Sequence, residues 1–387
     1  MGWTTGPNLV VPTRGCIALA WGNTLTLVGG TDASGSTTFL RRKFTLGDTA
    51  WTAMSDAPYG ISANLGLETE KVIYFFLLWD RNQKVTKATD TWAAIANATK
   101  RAEYSALAWD GNDKVLVSGG VGSSGSPTNY CAEYTISTNT WVVRTSLPTA
   151  MYTHGSFYYN GYYYVVGGES SRAYLNKVWK MQAVGGTSWI SCASMPAELV
   201  VQGFQGSIFG TKYYLCGGST NDFTYTGATD TVYSYDIPTD TWKKEAITLP
   251  KRRCYGCCVN ISGKMVLVGG MDETANPLAQ VDIFTFDAVG EITASVSSYT
   301  HNKLSTHADV NKSTVLFSVS DTCVEWEARA TPSTQTPARG VGLLVGSGGT
   351  LSPGVAGAFD VEASELTAGD GVYQITVYAK DASGSWW

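Results

Sequence analysis

Short apolar runs recur along the first 290 residues of the chain, separated by polar stretches rich in turn-forming residues. Five of the runs end in a glycine doublet: Gly29-Gly30, Gly119-Gly120, Gly167-Gly168, Gly217-Gly218 and Gly269-Gly270. A second extended run after each of the first four doublets carries a tryptophan: Trp51, Trp141, Trp189 and Trp242. Apolar runs of four or five residues bounded by glycine are typical of buried strands. The pattern therefore predicts a β structure made of repeated units.

The spacing of the doublets gives the number of units. The last four doublets are 48, 50 and 52 residues apart, and the first two are 90 apart, which is about two periods. The missing unit is found at residues 72–78, an apolar run without glycine that is followed by Trp92. Turn residues divide each unit into about four strands. One such sheet cannot bury both of its faces, whereas six sheets packed radially can, so the sequence predicts a six-bladed β-propeller.

An aromatic residue seven positions before the tryptophan completes the motif, as in Phe44 with Trp51 and Tyr134 with Trp141. An apolar run, a glycine doublet and this pair together resemble the kelch-repeat family of β-propellers. The resemblance implies an all-β fold with a six-bladed kelch-type propeller over residues 1–290. The sixth unit stops at residues 283–287 without a tryptophan. We expect residues around Trp3 to supply its outer strand and to close the ring.

Alternating strands at roughly ten-residue spacing over residues 291–387 predict a small β-sandwich. Two stretches, residues 366–373 and 380–387, resemble immunoglobulin-like modules at the ends of phage tail and cell-surface proteins. His301, His307 and Asp309 form a loose cluster that could hold a metal, although a plain connecting loop is the favoured interpretation.

Composition and charge exclude several classes of protein. A net charge of −5 argues against nucleic-acid binding, which needs a basic surface. The sequence lacks the run of about 18 apolar residues that a membrane helix needs, and its start lacks the features of a signal peptide. The eight cysteines are interpreted as reduced, buried residues. A single CxxC motif at Cys254 and Cys257 is weak evidence for zinc, and a disulfide within that cluster or with Cys16 stays open. We therefore expect no metal and no cofactor.

The strands of a blade alternate in direction, so the loops between strands two and three share one face with the linkers between blades. Arginines there suit acidic groups, and aromatic residues beside amides and acids suit sugar rings. Ordinary solvated loops are the alternative interpretation. The candidate ligand-binding residues are Arg14, Arg101, Tyr152, His154, Arg172, Asp222, Phe223, Tyr225, Arg252, Arg253 and Tyr255.

No catalytic residues are predicted, because His154 is the only histidine of the propeller segment and no Gly-x-Ser-x-Gly motif occurs. The leading hypothesis is an extracellular recognition protein of a bacteriophage tail or baseplate that binds a host-surface glycan or protein. Its C-terminal domain would contact other tail subunits or form a homo-oligomer. The alternative is an enzyme resembling the six-bladed kelch epimerases or mutarotases of acidic sugars, with Arg residues holding a carboxylate and Glu103, Glu169 or His154 moving protons. A third hypothesis is an intracellular kelch adaptor.

Overall fold

The structure is a computed structural model that describes residues 2–60, 65–76, 81–100, 103–171, 173–197, 205–219 and 227–286, followed by six further strands. The chain divides into two compact units, Met1–Phe286 and Asp287–Trp387. The first unit contains six four-stranded antiparallel sheets. It is an all-β, six-bladed propeller, as the repeat count predicts.

The first three blades each consist of four consecutive strands. Blade 1 contains Ile17–Trp21, Thr24–Val28, Arg41–Thr45 and Thr52–Ala53. Blade 2 contains Leu65–Glu68, Val72–Phe76, Gln83–Thr86 and Thr91–Ala94. Blade 3 contains Ala106–Trp109, Lys114–Ser118, Cys131–Thr135 and Thr140–Arg144. Blade 2 has no glycine doublet, yet its strands pair as in the other blades. Ile73 of the second strand pairs with Val85 of the third, and Val85 pairs with Trp92 of the fourth.

Blades 4 and 5 repeat this arrangement, and blade 6 takes its fourth strand from the other end of the chain. Blade 4 contains Gly155–Tyr159, Tyr162–Val166, Val178–Gln182 and Ile190–Ser191, with a small hairpin of Glu169–Ser170 and Ala173–Tyr174. Blade 5 contains Gln205–Phe209, Lys212–Cys216, Thr229–Asp236 and Thr241–Arg253. Blade 6 contains Cys257–Ile261, Lys264–Val268, Val281–Thr285 and Gly2–Thr5.

The N-terminal strand pairs antiparallel with the third strand of blade 6, where Trp3 lies opposite Phe284. Their rings pack with centroids 4.9 Å apart. The main chain continues this closure, since Gly6 donates its N–H to the carbonyl of Val281 at 2.9 Å. Trp3 thus occupies the position that Trp141 has in blade 3, opposite Tyr134.

The core lies between blades rather than within them. The first strands of neighbouring blades are adjacent at all six junctions, so these strands surround the central axis. Each junction has its own cluster of buried apolar side chains, for example Leu25 with Val266 between blades 1 and 6, and Leu116 with Tyr163 between blades 3 and 4. Burial of apolar surface in these six clusters is the main attraction that holds the ring together.

The tryptophan of each blade adds a directional contact to the preceding blade. In each blade the indole N–H donates a hydrogen bond of 2.8–3.1 Å to an oxygen of the preceding blade. The pairs are Trp51 with Pro7 O, Trp92 with Ser55 Oγ, Trp141 with Ala96 O, Trp189 with Thr145 O, Trp242 with Ala193 O and Trp3 with Thr248 O. An indole is large and apolar, yet it needs a partner for its N–H when it is buried. The repeated tryptophan therefore both packs a junction and fixes the angle between two blades.

The second unit contains two three-stranded antiparallel sheets. The first has Ala294–Tyr299, Lys312–Val319 and Ala356–Glu362, and the second has Leu343–Gly348, Glu325–Pro332 and Tyr373–Lys380. These six strands lie within residues 291–387, the segment in which the sequence predicts alternating strands. The immunoglobulin-like arrangement of these sheets stays a prediction, and His301, His307 and Asp309 lie outside the described residues.

In the described part of the chain, no helix has both the length and the apolar character that a membrane span requires.

Candidate functional site

One face of the propeller is formed by the linkers between blades and by the loops that follow the glycine doublets. We call it the loop face. In four blades a linker residue forms a β-bridge with the residue directly after the doublet. The bridges are Arg14 with Thr31, Glu103 with Val121, Tyr152 with Glu169, and Cys254 with Met271. In these four blades the linker is therefore paired through its backbone with the loop that follows the doublet.

The doublets make this close approach possible. Gly168 has a positive φ of 90°, and a Cβ atom there would lie 2.8 Å from the carbonyl oxygen of Tyr152. Gly30, with φ 103°, would place a Cβ atom 2.8 Å from Cβ of Thr13. Only glycine combines this backbone geometry with the space for the crossing linker. The sequence signature that counts the blades thus also builds the loop face.

The linkers share a second feature, a left-handed residue immediately after the bridged one. Gly15, Tyr104, Thr153 and Tyr255 occupy this position, with φ between 52° and 60°. Thr153 donates its N–H to the carbonyl of Tyr104 at 2.9 Å, and Gly15 donates to the carbonyl of Tyr255 at 2.8 Å. Left-handed residues other than glycine persist where surrounding contacts hold them, and they cluster at functional sites. Here they join the linkers in two neighbouring pairs, those before blades 3 and 4 and those before blades 6 and 1.

The loops of blades 1, 3 and 6 are closed by the same short hydrogen bonds. Gly35 donates its N–H to Asp32 O, Gly125 to Gly122 O, and Ala275 to Asp272 O, at 2.9–3.1 Å. In blade 1 the Asp32 carboxylate also accepts the N–H groups of Ser34 and Ser36, each at 2.9 Å. Hydrogen bonds from Ser34 and Ser36 lower the pKa of Asp32. These loops are therefore fixed in shape before any ligand arrives.

Four of the predicted site residues lie on or beside the loop face in the described part of the chain. Arg14 directs its guanidinium at Sδ of Met271, 3.2 Å away, and Tyr152 donates its hydroxyl to the Glu169 carboxylate. Arg252 is largely exposed, with Nε 3.7 Å from a carboxylate oxygen of Asp230. Tyr255 packs beside the buried cluster of Ala228, Cys254 and Met271. The loop face thus has two arginine side chains and two tyrosine side chains at or beside the linkers.

Arg253 is not part of this surface, which corrects the expectation for that residue. Its side chain is fully buried and pairs with the buried carboxylate of Asp282. A second guanidinium nitrogen approaches the carbonyl of Gly269 at 3.4 Å. Burial lowers the pKa of Arg253, while the charge of Asp282 opposes that shift. Arg252 and Arg253 are neighbours on a strand and so point to opposite sides, an alternation that the sequence already contained.

His154 is also internal, which corrects its assignment as a surface group. Its Nε2 lies 2.9 Å from Oγ of Ser118 in blade 3, and the residue is 6% exposed. Two doublets enclose it: a Cβ atom on Gly119 or Gly168 would lie within 2.7 Å of the histidine side chain. Burial lowers the pKa of His154 to about 3, so the imidazole is neutral at physiological pH. It fills the space between two blades and is not placed to move protons for a bound ligand.

The remaining five predicted residues, Arg101, Arg172, Asp222, Phe223 and Tyr225, lie outside the described residues. Of the acids considered for proton transfer, Glu169 is buried under Tyr152, and Glu103 belongs to the linker of blade 3. Within the described residues, no group of three His, Cys, Asp or Glu side chains could hold a metal ion.

An aromatic cluster on the loop face was missed by the sequence analysis. Phe39 and Tyr59 are 48% and 38% exposed, and the guanidinium carbon of Arg81 lies 4.9 Å from the centroid of the Tyr59 ring. Gly60, the residue after Tyr59, lies close to the Phe39 ring, since a Cβ atom there would be 3.6 Å from Cζ of Phe39. Phe39 lies just before the third strand of blade 1 and Tyr59 lies in the linker to blade 2, so an aromatic residue in a polar segment was the available signal. Exposed rings beside a cation are a common composition of binding surfaces.

A cleft of about 620 Å³ lies at the edge of the same face, between the N-terminal segment and the loop of blade 6. Asn8, Pro12, Lys251 and Asp272 line part of it. Lys251 and Asp272 form an ion pair at 3.2 Å. This cleft is open and its charges are already paired, so it is a weaker candidate than the aromatic cluster.

Comparison with known proteins supports the fold assignment. The "Structure of YjhT" aligns with 73% of this chain and 98% of its own, with a TM-score of 0.62 and 14% identity, which shows a common fold. The Arabidopsis thaliana F-box/kelch-repeat protein SKIP30 is 26% identical over 144 residues, 35% of this chain and 40% of the relative. SKIP4 from the same plant is 28% identical over 97 residues, 25% of this chain and 26% of the relative.

The chain thus spans well under half the length of these two curated relatives. The KLHDC2/KLHL20/DRC7 Kelch-repeats domain family matches residues 74–270, from the second strand of blade 2 to the doublet of blade 6. This match covers just over half of the 387 residues, and it includes four of the five doublets together with Trp92, Trp141, Trp189 and Trp242. The chain therefore belongs to the kelch-repeat family.

Proposed function

We propose that this kelch propeller is a recognition protein that binds a host-surface glycan or protein through its loop face. The observation that carries the proposal is the hydrogen bonding of the described linkers to the loops after the doublets and to neighbouring linkers, which fixes the shape of this face. A preorganised surface loses little conformational entropy on binding. Side chains that differ from blade to blade, among them Arg14, Tyr152 and Tyr255, are presented from this common scaffold.

The aromatic cluster of Phe39, Tyr59 and Arg81 is the part of this surface that we propose makes direct contact. An exposed ring can stack on the C–H face of a sugar or accept an apolar side chain of a protein. The neighbouring guanidinium provides hydrogen-bond donors in a planar arrangement that suits a carboxylate. Among the described residues, no carboxylate lies within ion-pair distance of Arg81, which leaves its donors to a ligand.

A binding role fits the described residues better than an enzymatic one. The mutarotase hypothesis assigned a carboxylate clamp to arginines and proton transfer to Glu103, Glu169 or His154. Arg253 is committed to Asp282 inside the fold, and His154 is buried and neutral. Glu103 and the pair of Tyr152 with Glu169 remain as groups for such an enzyme, so the binding experiment should include an assay for sugar turnover.

We assign this recognition role to the tail or baseplate of a bacteriophage. The second β unit would then attach the propeller to other tail subunits or form a homo-oligomer. The support for this setting is the order of the two units, a propeller with a preorganised face followed by a separate all-β unit. A coding sequence next to tail genes, together with labelling of particles by an antibody against the chain, would be the expected result.

Binding can be measured with the full chain on a glycan array and on bacterial cells. We expect a restricted set of glycans or cell surfaces to be bound, and Phe39→Ala with Tyr59→Ala to weaken that binding about tenfold or more. The matched control is Val142→Ala with Val143→Ala, because those apolar side chains are at least as exposed as Phe39 and Tyr59 and lie on the outer strand of blade 3. Equal losses in both variants, or no binding by the wild type, would contradict the proposal. Exchange at the anomeric carbon of a bound sugar would favour the enzyme instead.

A further inference from the structure

Closure of the propeller brings together two cysteines that are 241 positions apart in the chain. Cys16 precedes the first strand of blade 1, and Cys257 begins the first strand of blade 6. Their sulfur atoms are 3.4 Å apart, and Sγ of Cys257 is also 2.9 Å from the carbonyl oxygen of Cys16. A disulfide bond is about 2.05 Å long. A movement of little more than 1 Å therefore separates the two thiols from a covalent bond.

The backbone holds both cysteines in this position. One residue before Cys16, the N–H of Gly15 donates to the carbonyl of Tyr255 at 2.8 Å, and Tyr255 is two residues before Cys257. The doublet of blade 1 supports the other side, since a Cβ atom on Gly30 would lie 3.2 Å from Cβ of Cys16. The contact between the sulfurs therefore follows from the hydrogen bond between the two linkers.

The hydrogen bond between the sulfurs makes the two thiols unequal. It lowers the pKa of Cys16, against the effect of burial, and raises the pKa of Cys257 well above its ordinary value. The thiolate is the reactive form of cysteine, so Cys16 is the nucleophile of the pair. Cys16 is buried and Cys257 is partly exposed, so an oxidant must be small to reach them.

We propose that Cys16 and Cys257 form a redox-sensitive pair, which a peroxide converts into a disulfide that covalently closes the propeller. The Cys16 thiolate attacks one oxygen of hydrogen peroxide, the O–O bond breaks, and the departing hydroxide takes up a proton to become water. The sulfur of Cys257 then attacks the sulfenic acid on Cys16. The second hydroxide leaves with the proton of Cys257. Two thiols lose two electrons in total, peroxide gains them, and two waters are released.

The consequence is a cross-link across the one point where the ring is closed without a peptide bond. The N-terminal strand is held to blade 6 by non-covalent contacts, namely strand pairing and the packing of Trp3, and the bond between Cys16 and Cys257 would prevent the two ends from separating. Cross-links that close long loops restrict the unfolded chain most. The two linkers that contain Arg14 and Tyr255, each two residues before a cysteine of the pair, would be fixed at the same time.

The test uses the full chain, purified reduced and treated with increasing hydrogen peroxide. After free thiols are alkylated, peptides from a non-reducing digest are identified by mass spectrometry, and thermal unfolding is measured in parallel. We expect a Cys16–Cys257 peptide lacking two hydrogen atoms and a rise in melting temperature of about 5 °C or more. Dithiothreitol should reverse both changes.

Three variants separate this pair from other cysteines. Cys16→Ser and Cys257→Ser should abolish the peroxide-dependent rise, whereas Cys192→Ser, which removes a buried thiol between blades 4 and 5, should keep it. Cys258, next to Cys257, has its pKa raised well above the ordinary value by Cys216 of blade 5, and these two cysteines are the competing pair. A Cys216–Cys258 cross-link in place of the predicted one would overturn the proposal. Alkylation of both Cys16 and Cys257 in peroxide-treated wild type would do so as well, whether or not any variant folds.

Discussion

Blades 3 and 6 contain the same four strands, but only blade 3 has a turn between its third and fourth strands. In blade 3, Asn139 in that turn accepts hydrogen bonds from the Tyr134 hydroxyl and from the N–H of Ala96 in blade 2. Blade 6 has no such turn, because its fourth strand comes from the N-terminus. Even so, Trp3 faces Phe284 as Trp141 faces Tyr134, with ring centroids 4.9 and 5.1 Å apart.

The comparison shows which contacts specify the position of an outer strand. The indole N–H of either tryptophan reaches a carbonyl of the preceding blade at 2.9 Å, with or without the turn. Strand pairing and the tryptophan contacts are therefore sufficient for the geometry. They do not supply the local connection that makes a hairpin easy to close. Blade 6 must instead close a loop that contains most of the propeller, which costs more conformational entropy.

Removing residues 1–13 should have the largest effect, because it leaves blade 6 with three strands. The deletion exposes Phe284, removes the buried side chain of Leu9, and takes away the acceptor of the Trp51 indole. We expect a loss of at least about 5 kcal/mol of unfolding free energy and a fall in melting temperature of about 10 °C or more. A thermal melt in reducing buffer measures this.

A synthetic peptide of residues 1–13 provides the control for that deletion. Added in excess, it should bind the truncated propeller and restore part of the lost melting temperature. If the truncated chain melted at the same temperature as the full one, strand pairing in blade 6 would not be what closes the ring.

The next effect concerns buried charge at the closing blade. Asp282→Ala leaves the fully buried Arg253 without its carboxylate, which should cost about 3–5 kcal/mol. The double variant Arg253→Met with Asp282→Leu removes both charges and should recover most of that loss, because apolar replacements of a buried pair are often neutral. Urea unfolding of both proteins provides the comparison. A double variant as unstable as the single one would show that the pair itself, and not an isolated charge, is what matters.

Blade 3 offers the matching test of a less buried pair. Glu133 and Arg144 lie 2.5 Å apart, with side chains 10% and 14% exposed. Because water reaches this pair, Glu133→Ala should be less costly than Asp282→Ala in the same assay. The reverse order would contradict the role assigned to burial.

The third prediction concerns how the stability of the protein depends on pH. His154 occupies the linker after blade 3, where Cys16 stands in the linker after blade 6. Burial lowers the pKa of His154 from 6.5 to about 3, so between these pH values the unfolded chain binds a proton that the folded chain does not. Stability should therefore fall as the pH is lowered from about 6.5 towards 3, by about 1 kcal/mol per pH unit.

His154→Gln keeps a polar group near Ser118 and cannot titrate, so its stability should decline less steeply over that range. Urea unfolding at several pH values gives the two slopes, and carboxylates common to both proteins cancel in the difference. Parallel curves would mean that His154 is as accessible to protons in the folded protein as in the unfolded one.

The sequence was sufficient for the blades, because strand alternation, doublets and tryptophans are local features of each unit. It did not predict that the side chains of His154 and Arg253 are buried. Polar linker residues look alike in sequence, and their burial is decided by distant partners: Ser118 lies 36 residues before His154, and Asp282 lies 29 residues after Arg253. Phe39 and Tyr59 show the opposite behaviour, because they are aromatic residues in polar segments whose side chains are exposed. The strand pattern predicts which residues form one blade. Which side chains are buried at a junction depends on the residues of both neighbouring blades.

The smallest expected effect lies in the loops after the doublets of blades 3 and 6. Gly125 and Ala275 hold the same place in these loops, and both have positive φ, 76° and 64°. A left-handed backbone costs a residue with a Cβ atom roughly 1 kcal/mol, while glycine adds freedom to the unfolded chain. Ala275→Gly should therefore stabilise the protein by about 0.5 kcal/mol, and Gly125→Ala should destabilise it by about 1 kcal/mol. A Cβ atom on Gly125 meets nothing within 4 Å, so the second change tests backbone strain alone. Opposite signs for the two substitutions in chemical unfolding would show that the loops are equivalent, whereas a loss in both would mean that the Ala275 methyl group makes a contact worth more than the strain.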